Sequence, residues 1–190
     1  MRFRIDWATP NLHAYEPTLE ELGTYAPALA AAWNDPHNAK LMGHGDVFDV
    51  DDVVAHAEAI QAEGGRAFLL FHEGLLAGDA DFRGVSKGAA EFAFMVASPS
   101  AQGKGLGTRF AIMLHRFAFT ELRLAHSYAS IDPDNTGSRR VFEKLGFWVD
   151  TSRAARAFAD EPRDVVMSID CATFERINGK VFPEITLRTR

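Results

Sequence analysis

The chain has 190 residues, 47% hydrophobic and 24% charged, with a formal net charge of −6 and one cysteine, Cys171. That length suits a single core, and the acidic balance argues against a nucleic-acid partner, whose phosphates need clustered Lys and Arg, while it fits a cationic one. A lone cysteine allows neither an internal disulfide nor a cysteine-cluster metal site, and with no apolar run near the roughly 18–20 residues that span a bilayer, the expectation is a cytoplasmic protein with no membrane partner.

Residues 1–11 read as an N-terminal extension; Met1-Arg2-Phe3-Arg4-Ile5-Asp6 has no signal-peptide apolar region. The first strand is expected over Leu12 to Pro17. Thr18-Leu19-Glu20-Glu21 then offers a capping box in which the Thr18 hydroxyl and the Glu21 carboxylate serve orphan amides at a helix start. Pro27 predicts a kink or a restart before Ala28 to Trp33, and Asn34-Asp35-Pro36 ends that helix. Asp49 is a good N-cap for a second helix, with Val53, Ala57 and Ile60 near helical spacing and Gly64-Gly65 as its stop.

From Arg66 onward the texture changes to short apolar segments. Ala67 to Phe71 and Leu75 to Phe82 read as antiparallel strands around His72-Glu73-Gly74, and Glu91 to Val96 as a further strand. A helix follows the glycine-rich stretch Gln102 to Thr108, with Phe110, Met113, Leu114 and Phe117 on one face. Strand Ala125 to Ile131, the turn Asp132-Pro133-Asp134-Asn135 and helix Ser138 to Leu145, capped by Gly146, complete a β-α-β-α unit. Val165 to Ile169 is a late strand, and residues 171–190 read as a C-terminal extension.

Gln102-Gly103-Lys104-Gly105-Leu106-Gly107-Thr108 lies between a predicted strand and a predicted helix. Glycines let backbone approach phosphate oxygens, and the free amides of the following helix favour an anion, so a pyrophosphate is the natural ligand. Lys104 is followed by Gly105 where a Walker motif needs Ser or Thr, and the glycines run G-x-G-x-G, unlike the dinucleotide fingerprint. The alternative is an ordinary strand-to-helix connection.

Gln102-x-x-Gly105-x-Gly107 resembles the acetyl-CoA signature Q/R-x-x-G-x-G/A of the GNAT N-acetyltransferase superfamily. Asn135-x-x-Ser138-x-x-Val141-x-Glu143-Lys144-x-Gly146-Phe147 resembles its second signature. With Trp33-Asn34-Asp35-Pro36, the pattern is most similar to the RimJ/RimL-like branch. The resemblance implies an α/β fold over residues 12–170, with a mixed, mostly antiparallel splayed sheet flanked by helices. It also implies acetyl-CoA as co-substrate and no metal, with acetyl transfer to a protein N-terminus or a small-molecule amine by direct attack on the thioester.

The same resemblance implies that backbone groups of Met95, Val96 and Ala97 hold the pantetheine arm and that amides of Gln102, Gly103, Lys104, Gly105, Leu106, Gly107 and Thr108 wrap the pyrophosphate. Asn135, Ser138 and Phe142 line the arm from the neighbouring strand and helix, and an amide near Val96 stabilises the oxyanion. The family's usual acid, a tyrosine, is replaced here by Phe142. Ser138 is therefore the expected proton donor, or else a first-turn hydroxyl that binds a backbone amide. Glu91 is the expected base, acting through water, or else a solvated strand-end carboxylate; Tyr128, flanked by His126 and Ser130, is the reserve.

His13, His37, His44, His56, His72 and His115 show no metal-ligand spacing. Trp33, Trp148 and the phenylalanines read as core or acceptor-pocket lining, with the pocket built by the first two helices, Pro36 to Phe48 and the region after Phe147. A homodimer is the form expected if the chain self-associates. Two other functional classes stay open: a CoA-binding module without catalysis, suggested by Phe142, and transfer of a longer acyl group.

Overall fold

The computed structural model describes residues 1–190, except the side chain of Ser100. Its centre is the run Ala67 to Phe71, where Phe68, Leu69, Leu70 and Phe71 are all buried. A strand buried on both faces needs a layer on each side, and helices supply both. Strands β1 (Phe3–Trp7), β2 (Leu12–Tyr15), β3 (Arg66–His72), β4 (Leu75–Ser86), β5 (Ala89–Val96), β6 (His126–Ile131), β7 (Trp148–Val149), β8 (Val165–Asp170) and β9 (Ile185–Thr189) form one sheet. Its order is β7-β8-β6-β5-β4-β3-β2-β1-β9. Only β5 and β6 run parallel among these neighbours.

Helices α1 (Leu19–Trp33), α2 (Pro36–Met42) and α3 (Val50–Ala62) precede the central strands, followed by α4 (Leu106–Thr120), α5 (Thr136–Leu145), α6 (Arg153–Arg156) and α7 (Cys171–Asn178). Leu22, Ala26, Leu29 and Trp33 of α1 share a cluster with Val53 and Ala57 of α3 and with Met95. On the other sheet face Phe110, Met113, Leu114 and Phe117 of α4 are fully buried. Each such side chain contributes roughly 1.5–3 kcal/mol by leaving water. None of the helices is long and apolar enough to cross a membrane among the described residues.

The predicted caps are present. Thr18 and Glu21 close a reciprocal capping box, Asp49 caps α3 with Asp52 returning the bond, and Gly146 takes the left-handed conformation after α5. Three expectations need correction. Helix α1 does not restart after Pro27 but runs through it from Leu19 to Trp33: the carbonyl its missing amide would serve belongs to Gly23, and both residues are exposed, so water can replace that bond while the buried face holds the helix together. The first strand is β1, ahead of Leu12, with Phe3, Ile5 and Trp7 buried and Arg4 and Asp6 on the other face. Trp148 is 42% exposed, because the two-residue β7 is an edge strand.

The last residues belong to the sheet. β9 pairs with β1 from Phe3↔Thr189 to Trp7↔Ile185. Arg116 of α4 donates to the carbonyls of Phe182 and Ile185, and the Arg190 guanidinium lies 4.4 Å from the centre of the Tyr15 ring.

Candidate active site

Strands β5 and β6 pair only at Ala89↔His126, Ala90↔Ser127 and Glu91↔Tyr128. Beyond Glu91 they diverge, and the sheet opens a gap beside Phe92 to Val96. The Ala97 amide donates to Ala77 on the β4 side at 2.8 Å, so by strand alternation the polar groups of Phe94 and Val96 face the gap.

The glycine loop closes one end of this gap. Gly105 is the N-cap of α4 at φ 82°, a left-handed conformation that disfavours any Cβ, and no side chain caps the helix. The first-turn amides of a 15-residue helix are therefore open to an anion. A Cβ at Gly107 would stand 2.9 Å from the Phe94 ring, so only glycine lets the helix approach that closely. The adjoining cavity of about 320 Å³ is lined by Gly103, Gly105, Gly107 and Thr108 together with Phe94, Asn135, Ser138, Arg140 and Lys144. Uncapped amides, a glycine cradle and two cations beside an opened sheet fit a pyrophosphate with an extended arm.

The loop is anchored by side chains. Gln102 Nε2 donates to Asn38 Oδ1 and to the Val96 carbonyl, each at 2.9 Å, while His37 Nε2 lies 3.1 Å from Gln102 Oε1. Asn38, 1% exposed, also donates to the carbonyls of Ala32 and Ala97. Asn135 Nδ2 donates to the Leu41 carbonyl at 2.8 Å, and its Oδ1 accepts the Ser138 amide at 2.9 Å. The segment after Trp33 works as a joint: Asn34 clamps Phe48 through both its backbone groups, and Asp35 caps α2.

A second cavity of about 510 Å³ opens on the α1 and α3 face. Trp33, Phe48, His56 and the segment Leu41 to His44 line it, as do residues of the loop Asp160 to Asp164. The predicted helices, their connection and the region after Phe147 thus do meet there. The two cavities share Leu41, Met42, Phe94, Met95, Asn135 and Ser138.

Sequence reasoning did not anticipate the floor of this second cavity. Asp79, Asp81 and Arg83 occupy one face of β4, opposite Met95, Ala93 and Glu91 in register. Burial, reinforced by the neighbouring Asp81, pushes the Asp79 carboxyl up to about 7. Charged residues at every second position of an otherwise apolar strand were the available signal; Asn38 had none.

Of the expected catalytic residues, Ser138 lines both cavities, and the hydrogen bond at its amide is made by Asn135. Glu91 is buried against Arg83, Oε1 to Nη2 3.0 Å; burial raises its carboxyl to about 7 despite the opposing guanidinium. Tyr128 stacks on Phe158 with ring centres 4.4 Å apart, in a separate cluster with Ala155 and Val166. Neither Glu91 nor Tyr128 lines either cavity. Phe142 is buried among Phe92, Phe94 and Phe147. Among the described residues no three His, Cys, Asp or Glu side chains converge to hold a metal ion.

Comparison with known proteins gives the same fold and family. A stretch of 61 residues is 41% identical to the spermidine N(1)-acetyltransferase of Escherichia coli K12, covering 32% of each chain. A stretch of 100 residues is 34% identical to human alpha/beta-tubulin-N-acetyltransferase 9, covering 50% of this chain and 45% of that one. The chain thus matches less than half the length of either relative. Among solved structures, RimJ of Mycobacterium smegmatis in complex with CoA-disulfide superposes with a TM-score of 0.68 at 19% identity, over 90% of this chain and 87% of that one. AAC(6')-Ib in complex with acetyl-CoA gives 0.72 at 21%, over 88% and 97%. The family model described as an acetyltransferase (GNAT) domain matches residues 18–148, and with both signatures folded around one gap in the sheet, the chain belongs to the GNAT acetyltransferase family.

Proposed function

We propose that this protein transfers the acetyl group of acetyl-CoA to the primary amine of a cationic acceptor, in the cytosol. The observation that carries this reading is the meeting of two cavities of opposite charge at Phe94, Met95 and Ser138. One has helix-terminal amides, Arg140 and Lys144 for a pyrophosphate. The other has Asp52, Asp79, Asp81, Asp132, Asp160, Glu161 and Asp164 against Arg83 and Arg163. Such a cleft raises the local concentration of a cation. Similarity to RimJ and the Trp33-Asn34-Asp35-Pro36 segment favour a RimJ/RimL-like enzyme, so a protein N-terminus is one acceptor class; the spermidine acetyltransferase similarity favours a small polyamine as the other.

Bound acetyl-CoA supplies a thioester carbonyl for attack. Residues of the chain hold and orient it: the amides after Gly105 face the pyrophosphate, and the polar groups of Phe94 and the Val96 amide in the gap offer the arm a strand partner. An acceptor ammonium must shed a proton before its nitrogen can form the amide bond as the carbon–sulfur bond breaks. Ser138 gives the departing thiolate its proton in this reading, which its lining of both cavities supports.

The test is a thermal unfolding series with CoA, acetyl-CoA, ATP and NADH, followed by thiol release over a panel of peptides, spermidine and aminoglycosides. A ligand at about 100 times its Kd stabilises by roughly 2.7 kcal/mol. Shifts with both CoA species alone, and thiol release with at least one amine, are expected; no shift with CoA, or no release with any amine, rejects the reading. Ser138→Ala should lower kcat while a thermal shift with acetyl-CoA is still seen.

A further inference from the structure

Buried polar atoms without partners concentrate in the acceptor cavity. Asp79 Oδ1 and both ring nitrogens of His44 are shut off from solvent with no hydrogen-bond partner, as are Asp81 Oδ1 and Arg83 Nε, which face each other as an ion pair at 3.8 Å; all four residues line that cavity. Asp81 is only 8% exposed. Such groups destabilise a site until something satisfies them, so the cavity is built for a polar ligand. Asp79 is the carboxylate best placed to meet one at the reaction centre: it stands opposite Met95 in the β4–β5 register, and Met95 lines both cavities. Its other oxygen accepts from Trp33 Nε1 at 3.3 Å, which fixes its orientation. Asp81, two residues along the same face, lies 3.8 Å from His56 Nε2, whose side chain is 43% exposed.

We propose that Asp79 is the catalytic carboxylate that takes the proton of the acceptor ammonium, with Asp81 and His56 as its outlet to solvent. This rests on the acetyl-transfer reading. The ammonium loses two protons in all. One passes to Asp79, leaving a lone pair that forms the carbon–nitrogen bond; the other, shed as the carbon–sulfur bond breaks, balances the thiolate as thiol. The proton on Asp79 then leaves through Asp81 and His56, and the carboxylate is restored.

The charged side chains that line this cavity with Asp79 are Asp81 and Arg83 of β4, Asp52 and His56 of α3, His44 after α2, Asp132 after β6, and Asp160, Glu161, Arg163 and Asp164 of the loop before β8, of which Asp81 and His56 act on Asp79 most; α1 and β5 contribute the uncharged Trp33, Ala93 and Met95. A carboxyl held near 7 in that company is poised to accept a proton at neutral pH.

The experiment is the pH profile of kcat/KM for an amine that the wild type acetylates, in wild type, Asp79→Asn, Glu91→Gln and Trp33→Phe. The acetyl-CoA thermal shift verifies that each variant folds. Wild type should lose activity below pH 7. Asp79→Asn should lose about 100-fold at pH 7.5 and show no such limb, Glu91→Gln should keep the limb, and Trp33→Phe, lacking the bond that favours the charged carboxylate, should move it upward. An Asp79→Asn enzyme with the wild-type limb and more than a third of wild-type kcat/KM overturns the assignment alone. If Asp79→Asn does not fold, an unmoved limb in Trp33→Phe overturns it. A wild type that acetylates no amine overturns the acetyl-transfer reading and this assignment together.

Discussion

Gln102 Nε2 donates to Asn38 Oδ1 at 2.9 Å, and this bond ties the glycine loop to α2 across 64 positions of sequence. Asn38 also serves the carbonyls of Ala32 and Ala97, so one buried amide joins α1, the end of β5 and the loop. Asn38→Leu would take a hydrogen bond from all three partners and leave the Ala97 carbonyl without its amide donor, while Gln102 Nε2 keeps its bond to Val96 and the Ala32 carbonyl its bond from the Asp35 amide. Stability should fall by about 2 kcal/mol or more, since each buried unpaired group costs roughly 1–3, and the Kd for acetyl-CoA should rise on the order of tenfold. Urea unfolding and calorimetric titration check the two effects.

Gly107 tests the close approach of α4 to the gap. Gly107→Ala puts a Cβ 2.9 Å from the edge of the Phe94 ring, and Phe94 lines both cavities. The ring should swing into the gap and weaken acetyl-CoA binding by about tenfold or more. Alanine favours helix over glycine by roughly 1 kcal/mol, so Tm should change little, which separates this effect from unfolding.

The apo protein should lose stability as pH rises toward neutrality. Burial raises Asp79 from its ordinary 3.8 to about 7. Its stability contribution is therefore complete below pH 4 and lost as pH climbs through 7. Glu91, raised to about 7, acts in the same direction. Asp79→Asn should match wild type near pH 4 and exceed it at pH 8, by no more than about 4 kcal/mol at 1.4 per unit. Denaturant melts at the two pH values check the crossover.

His115 should act in the opposite direction. It is fully buried, with Nδ1 2.7 Å from the Ala111 carbonyl and Nε2 3.0 Å from Ser127 Oγ, and burial pushes it down to about 4. Its contribution is present above pH 6.5 and is lost as pH falls through 4, up to about 3 kcal/mol. Unfolding free energies at pH 7 and 4.5 should differ less in His115→Gln than in wild type.

Local chemistry made several features readable along the chain. Thr18 with Glu21 and Asp49 before Val50 announce helix starts through side chains three residues away, and the 3.6-residue spacing of Phe110, Met113, Leu114 and Phe117 names the face that α4 buries. The two glycine- and asparagine-centred signatures gave the family because their residue types answer to backbone requirements at fixed spacing. Even Phe3, Ile5 and Trp7 alternate as a half-buried strand must.

Tertiary structure alone decided what depends on partners distant in sequence. β1 pairs with its neighbour β2 on one side, but it is an inner strand and not the sheet edge because Ile185 to Thr189, nearly the length of the chain away, pairs with its other side. Pro27 is tolerated because the carbonyl it leaves unpaired faces water. Glu91 is drawn into a buried ion pair because Arg83 lies opposite it in register, while Asp79, four register positions from Arg83, keeps an oxygen unpaired in the second cavity. The sequence determined which residues could carry a proton; burial and pairing determined which of them stand where the two cavities meet.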